Sequence, residues 1–164
     1  VTTGDHGAAA PPGLDGTGLR IGVVRARWNS LIVTRLAAGV GRGLAGLGVR
    51  AEDVVDVVVP GSFELPMGAR ILAASGKVDA VICLGSVIRG ETSHYELVAS
   101  QAAAGIQEVQ LSTGVPVAFG ILATEDEAQA LARSEEAEGH NVGYDAAVVA
   151  VEMARLAQQH SVPS

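Results

Sequence analysis

At 164 residues the chain has room for one compact domain and a short tail, which excludes a multi-domain protein. With 48% hydrophobic and 18% charged residues it can bury a core, and aromatics at only 3% leave that core to Ala, Val, Leu and Ile, which suits a sheet covered by helices. Eighteen acidic against eleven basic residues give a formal charge of −7, which repels a nucleic-acid backbone and leaves no polybasic patch for a membrane.

Val1 to Gly18, rich in Gly, Ala, Thr and Pro, lacks the basic start and long apolar core of a signal peptide and reads as a flexible tail (1–18) before a single domain (19–160). No later segment is apolar enough to span a bilayer. From Leu19 a run rich in β-branched residues reads as a strand ending near Trp28-Asn29-Ser30, where Asn29 or Ser30 can cap a helix. That helix carries Leu36, Val40, Leu44 and Leu47 at helical spacing, and Gly46 and Gly48 stop it. Val54 to Val59, almost all valine, predicts a parallel strand buried on both faces and closed by Pro60-Gly61.

A second helix is predicted from about Leu65 to Ser75, capped by Gly76. Val78 to Ile88 is the third strand and ends in the loop Arg89 to His94. The lone cysteine, Cys83, makes no internal disulfide and reads as a small core residue, not a reactive thiol, so nothing argues for an oxidising compartment and the cytoplasm is the expected location. A long helix then starts at His94 and puts Leu97, Ala102, Ile106 and Val109 on one side. Pro116 to Leu122 is the fourth strand, and Glu125, Asp126 and Glu127 open a helix ending near Arg133. A polar stretch and a last helix, from about Tyr144 to Gln159, complete the chain.

Alternating strands and helices predict an α/β fold, a three-layer α/β/α sandwich around a mainly parallel four-stranded sheet with right-handed crossovers. In such folds ligands sit beyond the carboxyl ends of the strands. Three of those ends carry unusual residues: Trp28-Asn29, Gly61 to Glu64, and Ser86 to His94. The glycine, hydroxyls and backbone N–H groups of Gly90 to His94 either hold a small anion at a helix N-terminus or form an ordinary helix start capped by Thr92 or Ser93. The Walker lysine pattern is absent, and no Gly-x-Gly-x-x-Gly stands at the turn directly after the first strand. His94 reads either as a proton acceptor or as a surface histidine, and no histidine spacing suggests a metal site. Trp28 and Phe63 either stack on a planar heterocycle or plug the top of the sheet, and Glu64 either takes hydrogen bonds from a ring N–H or polyol or faces solvent.

These residues resemble the lumazine synthase family over about Arg20 to Leu156. The match is strongest at Gly85-Ser-Val-Ile-Arg-Gly-Glu-Thr-Ser-His94, with Val59-Pro-Gly-Ser-Phe-Glu-Leu-Pro66 before it and Gly120-Ile-Leu-Ala-Thr124 and Gln129-Ala-Leu-Ala-Arg133 after it. The resemblance implies a flavodoxin-like fold and condensation of 5-amino-6-(ribitylamino)uracil with 3,4-dihydroxy-2-butanone 4-phosphate, without metal or organic cofactor. It implies that Trp28 stacks on the uracil, beside Asn29, that Ser62, Phe63 and Glu64 hold the ribityl-bearing substrate, and that Ser86, Val87 and Ile88 meet it through backbone. Gly90, Glu91 and Thr92 would form the phosphate loop, and His94 would move protons. Arg133 would grip the phosphate from a neighbouring subunit, with Phe119 at the pocket wall.

The implied assembly is a homopentamer, with a decamer or 60-subunit shell as larger alternatives, in which the N-terminal segment adds an edge strand to a neighbour's sheet. Four positions depart from the family pattern: Val142 replaces a lysine, Ser93 a proline, Asp145 stands where Glu is usual and Ala123 where Thr is common. They leave open a weakly active or non-catalytic paralogue that binds a flavin-like ligand. An enzyme dismutating the lumazine to riboflavin fits the two-substrate loops less well.

Overall fold

The computed structural model describes residues 10–161. Four parallel strands lie in the order β2-β1-β3-β4: β1 (Ile21–Ala26), β2 (Val54–Val59), β3 (Ala80–Ile88) and β4 (Val117–Thr124). Between and after them run α1 (Ser30–Gly46), α2 (Leu65–Ala74), α3 (His94–Thr113), α4 (Glu127–Ala132) and α5 (Val142–Gln159). Every strand is followed by a helix, so the chain doubles back each time and a flavodoxin-like parallel sheet with helices on both faces results.

The two faces bury separate cores. On one, α1 and α5 cover Ile21, Val23, Ile82 and Leu84 with Leu36, Val40, Ala147 and Val151. On the other, α2 and α3 cover Val24, Val81, Cys83 and Ile121 with Leu65, Ala102 and Ile106. Strand β3 sits inside both and is buried along nearly its whole length. Burial pushes the Cys83 thiol up to about 12, so it stays protonated as a core residue.

Two expectations fail. The valine run of β2 is an edge strand, not one buried on both faces, and Val55 and Val58 are exposed. The chain lays β3 and β4 on the far side of β1, which leaves β2 with a single neighbour among the described residues. In α3, Ala102, Ile106 and Val109 face the core as expected, but Leu97 is exposed: five residues before Ala102, it sits about 140° around the helix at 3.6 residues per turn, and Tyr95 and Val98 meet the core instead.

Of the segment 1–18, residues 1–9 lie outside the described residues. Further on, Leu14 packs against the α1/α5 core, Gly16 donates to the Leu47 carbonyl (2.6 Å), and Arg155 donates to the carbonyls of Asp15 and Thr17 (both 2.8 Å).

The turn from α4 into α5 is fixed by Asn141, which is almost fully buried. Its Oδ1 accepts the Tyr144 N–H (3.1 Å) as the cap of α5, while Nδ2 donates to the carbonyls of Arg35 (3.1 Å) and Glu135 (2.8 Å). Just beyond it Gly143 lets α5 touch α1: a Cβ there would lie 2.0 Å from the Leu36 carbonyl oxygen. Because the obstacle is backbone, Gly143→Ala is expected to destabilise the fold by about 1–3 kcal/mol, measured by denaturant unfolding. An unchanged midpoint would show that the two helices can separate freely.

Candidate active site

The hydrogen bonding of β1 with β2 continues past the strand ends, Arg27 N–H to Val59 O (2.8 Å) and Trp28 N–H to Pro60 O (3.1 Å), and this carries Trp28 onto the turn after β2. Trp28 is 61% exposed. Asn29 then takes the left-handed backbone (φ 57°), a conformation open to asparagine at modest cost, and the chain turns into α1. Asn29 holds the N-cap position but its side chain does not cap. Its Nδ2 instead donates to the Ser86 carbonyl (2.7 Å), tying the end of β1 to the end of β3.

The turn after β2 is a short 3-10 segment in which the Glu64 carboxylate accepts the Gly61 N–H (3.0 Å). Ser62 is buried, its hydroxyl against the spot where Gly85 lacks a Cβ, and Phe63 stands 59% exposed. Neither Trp28 nor Phe63 plugs the top of the sheet. Both offer ring surface beyond it.

At the end of β3, Ser86 and Val87 are buried and Ile88 half-buried, and residues 90–94 are exposed. Thr92, not Ser93, caps the helix start in effect: its Oγ1 accepts the His94 N–H (3.3 Å), and Ser93 makes no side-chain cap. A group overlooked in the sequence anchors this loop. The Arg89 N–H donates to Thr124 O (2.8 Å), its Nε pairs with Glu125 (2.9 Å), its Nη1 with Glu96, and its guanidinium lies 4.5 Å from the Tyr95 ring centre. Hydrogen bonds from Glu96 and then Glu125 raise the Arg89 pKa above its usual value, and Glu96 is lowered by its own backbone N–H and by Arg89. These are solvent-exposed pairs of small worth for stability. Their effect is geometric: they fasten the loop to β4 and to the first turn of α3. An arginine at the strand end with glutamate one turn into the next helix was the available signal.

Phe119 and Arg133 do not join this cluster within one chain. Phe119 lies on the outer edge of β4, level with Cys83, about 16 Å below the strand's end at the usual rise per residue, and is 47% exposed. Arg133 closes α4 on the α1/α5 face, where Val142 N–H donates to its carbonyl (2.9 Å) and its guanidinium donates to Gln129 O (3.0 Å). Val142 packs against the α1/α5 core and Asp145 faces His140 at 3.5 Å. A groove of about 360 Å³ between α1 and β2, lined by Ala37, Val40, Leu44 and Val54, lies along the sheet edge, away from the strand ends.

Among the described residues, no cluster of three or more His, Cys, Asp or Glu could hold a metal ion, and no helix is long and apolar enough to cross a membrane. A family model described as 6,7-dimethyl-8-ribityllumazine synthase matches residues 18–158. Proteins of that name are similar to the chain over 146 residues: 51% identity in Paraburkholderia phytofirmans and in Paraburkholderia xenovorans, covering 89% of this chain and 84% of each relative. A third, from Paraburkholderia phymatum, is 49% identical over 89% of this chain and 82% of its own length.

Proposed function

The chain belongs to the 6,7-dimethyl-8-ribityllumazine synthase family, and on that premise we propose that it condenses 5-amino-6-(ribitylamino)uracil with 3,4-dihydroxy-2-butanone 4-phosphate, releasing phosphate and water. One observation carries the assignment of the site. Trp28, Ser62, Phe63, Glu64, the Ser86–Ile88 backbone and the loop to His94 meet at the carboxyl ends of three adjacent strands.

Trp28 stacks on the uracil, Ser62 and Glu64 take hydrogen bonds from the ribityl chain beside Phe63, and Asn29 holds Ser86 so that the backbone of Ser86, Val87 and Ile88 can meet the ring. Backbone N–H groups of Gly90, Glu91 and Thr92 receive the phosphate. His94, exposed at the loop's end, moves protons as the imine forms, phosphate leaves and the ring closes. Holding two reactants side by side supplies much of the remaining rate.

Arg133 and Phe119 belong to the neighbour's site in a homopentamer. What supports this is their separation from the strand-end cluster, together with surface that an assembly would cover: edge valines Val55 and Val58, and Met67, Ile71, Leu97 and Leu111 exposed on α2 and α3. The enzyme works in the cytoplasm. Purified protein mixed with both substrates is expected to raise lumazine absorbance and fluorescence far faster than the uncatalysed condensation, and a rate no faster would overturn the proposal. The half-buried Val142, where the family pattern has lysine, favours a second reading as a weakly active paralogue; tight flavin binding without turnover would mark it.

A further inference from the structure

Gly61 has an ordinary extended backbone, φ −141° and ψ −178°, which any residue can adopt. Conformation therefore does not require a glycine there. Space does: a Cβ on Gly61 would lie 2.4 Å from Cε3 and 2.7 Å from Cζ3 of Trp28, inside any permitted contact, and 3.3 Å from Oε2 of Glu64. The same residue donates its N–H to that Glu64 oxygen at 3.0 Å, and the Trp28 N–H is fixed on the neighbouring Pro60 carbonyl at 3.1 Å.

We propose that Gly61 is a positioning residue for the heterocyclic substrate: its bare backbone seats the benzo edge of the Trp28 indole and holds the Glu64 carboxylate, setting the distance between the stacking ring and the hydrogen-bonding group. This rests on the reading of Trp28 as the stacking aromatic. Because the indole is 61% exposed, a methyl group at position 61 displaces it toward solvent instead of unfolding the turn.

The chain has a single tryptophan, so its emission and near-ultraviolet dichroism report this contact in the absence of substrate. In Gly61→Ala both signals are expected to change, with the KM for the ribitylaminouracil rising about tenfold or more, as for loss of one aromatic stack, and the KM for the sugar phosphate staying near wild type. In a Trp28→Phe background, where the outer benzo atoms are gone, the same Gly61→Ala change is expected to cost much less. Unchanged spectra with unchanged KM, or an equal cost in both backgrounds, would overturn the proposal. Should Gly61→Ala fail to fold, folding of the double variant supports it and failure of both overturns it. A wild-type protein that makes no lumazine would instead refute the functional reading, while the spectra and the folding comparison would still decide whether Gly61 seats the indole.

Discussion

Replacing His94 by alanine is expected to lower the turnover number by about 10²- to 10⁴-fold while leaving a measurable residual rate. The ring stands exposed where α3 begins, and the tie between loop and helix is made by its backbone N–H to Thr92, which alanine retains. Stability should therefore change by no more than about 0.5 kcal/mol, as for other surface substitutions, so a lost rate reports chemistry and not folding. The KM values of both substrates should move little, since no stacking or phosphate contact is assigned to the ring. What survives is the advantage of two reactants held in one place. Single-turnover formation of the lumazine, compared with an unfolding curve of the same variant, separates the two effects. A turnover number equal to wild type would remove His94 from the mechanism.

What could be read ahead of the structure was whatever local pattern determines. The valine run gave β2 its place in the chain, the spacing of Leu36, Val40 and Leu44 gave α1 its buried face, and the acidic cluster before α4 marked its start, where Asp126 accepts the Gln129 N–H. Which strand sits at the edge is a different kind of fact. Periodicity reports that a face is apolar, not which partner covers it, so Val55 and Val58 read as core although one side of β2 has no neighbouring strand among the described residues.

The same division runs through the site. Trp28, Ser62 to Glu64 and the loop to His94 announced themselves by falling at strand ends in a chain poor in aromatics. Their physical ties were not legible, because each joins residues far apart in sequence: Asn29 to Ser86, Arg89 to Glu125, Trp28 to the bare backbone of Gly61. Asn29 read as a helix cap because its local context is that of one. Only the parallel placement of β1 beside β3 shows that its amide has a better acceptor across the sheet.

Arg133→Ala is expected to raise the KM for the sugar phosphate by roughly 10- to 100-fold, the loss of one or two charge-assisted hydrogen bonds, which ends turnover at ordinary concentrations. The fold prepares this side chain without using it. Its backbone is locked between the end of α4 and the start of α5 through Val142 and the Asn141 turn, yet among the described residues the guanidinium is spent only on the Gln129 carbonyl of its own helix. Releasing that bond for a phosphate costs little. Arg133→Lys should recover only part of the loss, because an ammonium cannot reproduce the paired donors of a guanidinium. The sharper measurement mixes chains. If Arg133 serves the neighbour's site, assemblies co-expressed from His94→Ala and Arg133→Ala subunits contain sites in which both residues are intact, and random mixing around a ring should restore about a quarter of wild-type activity. Activity that never exceeds the average of the two parent variants would mean that each chain uses its own arginine, and the site would have to be rebuilt within one subunit.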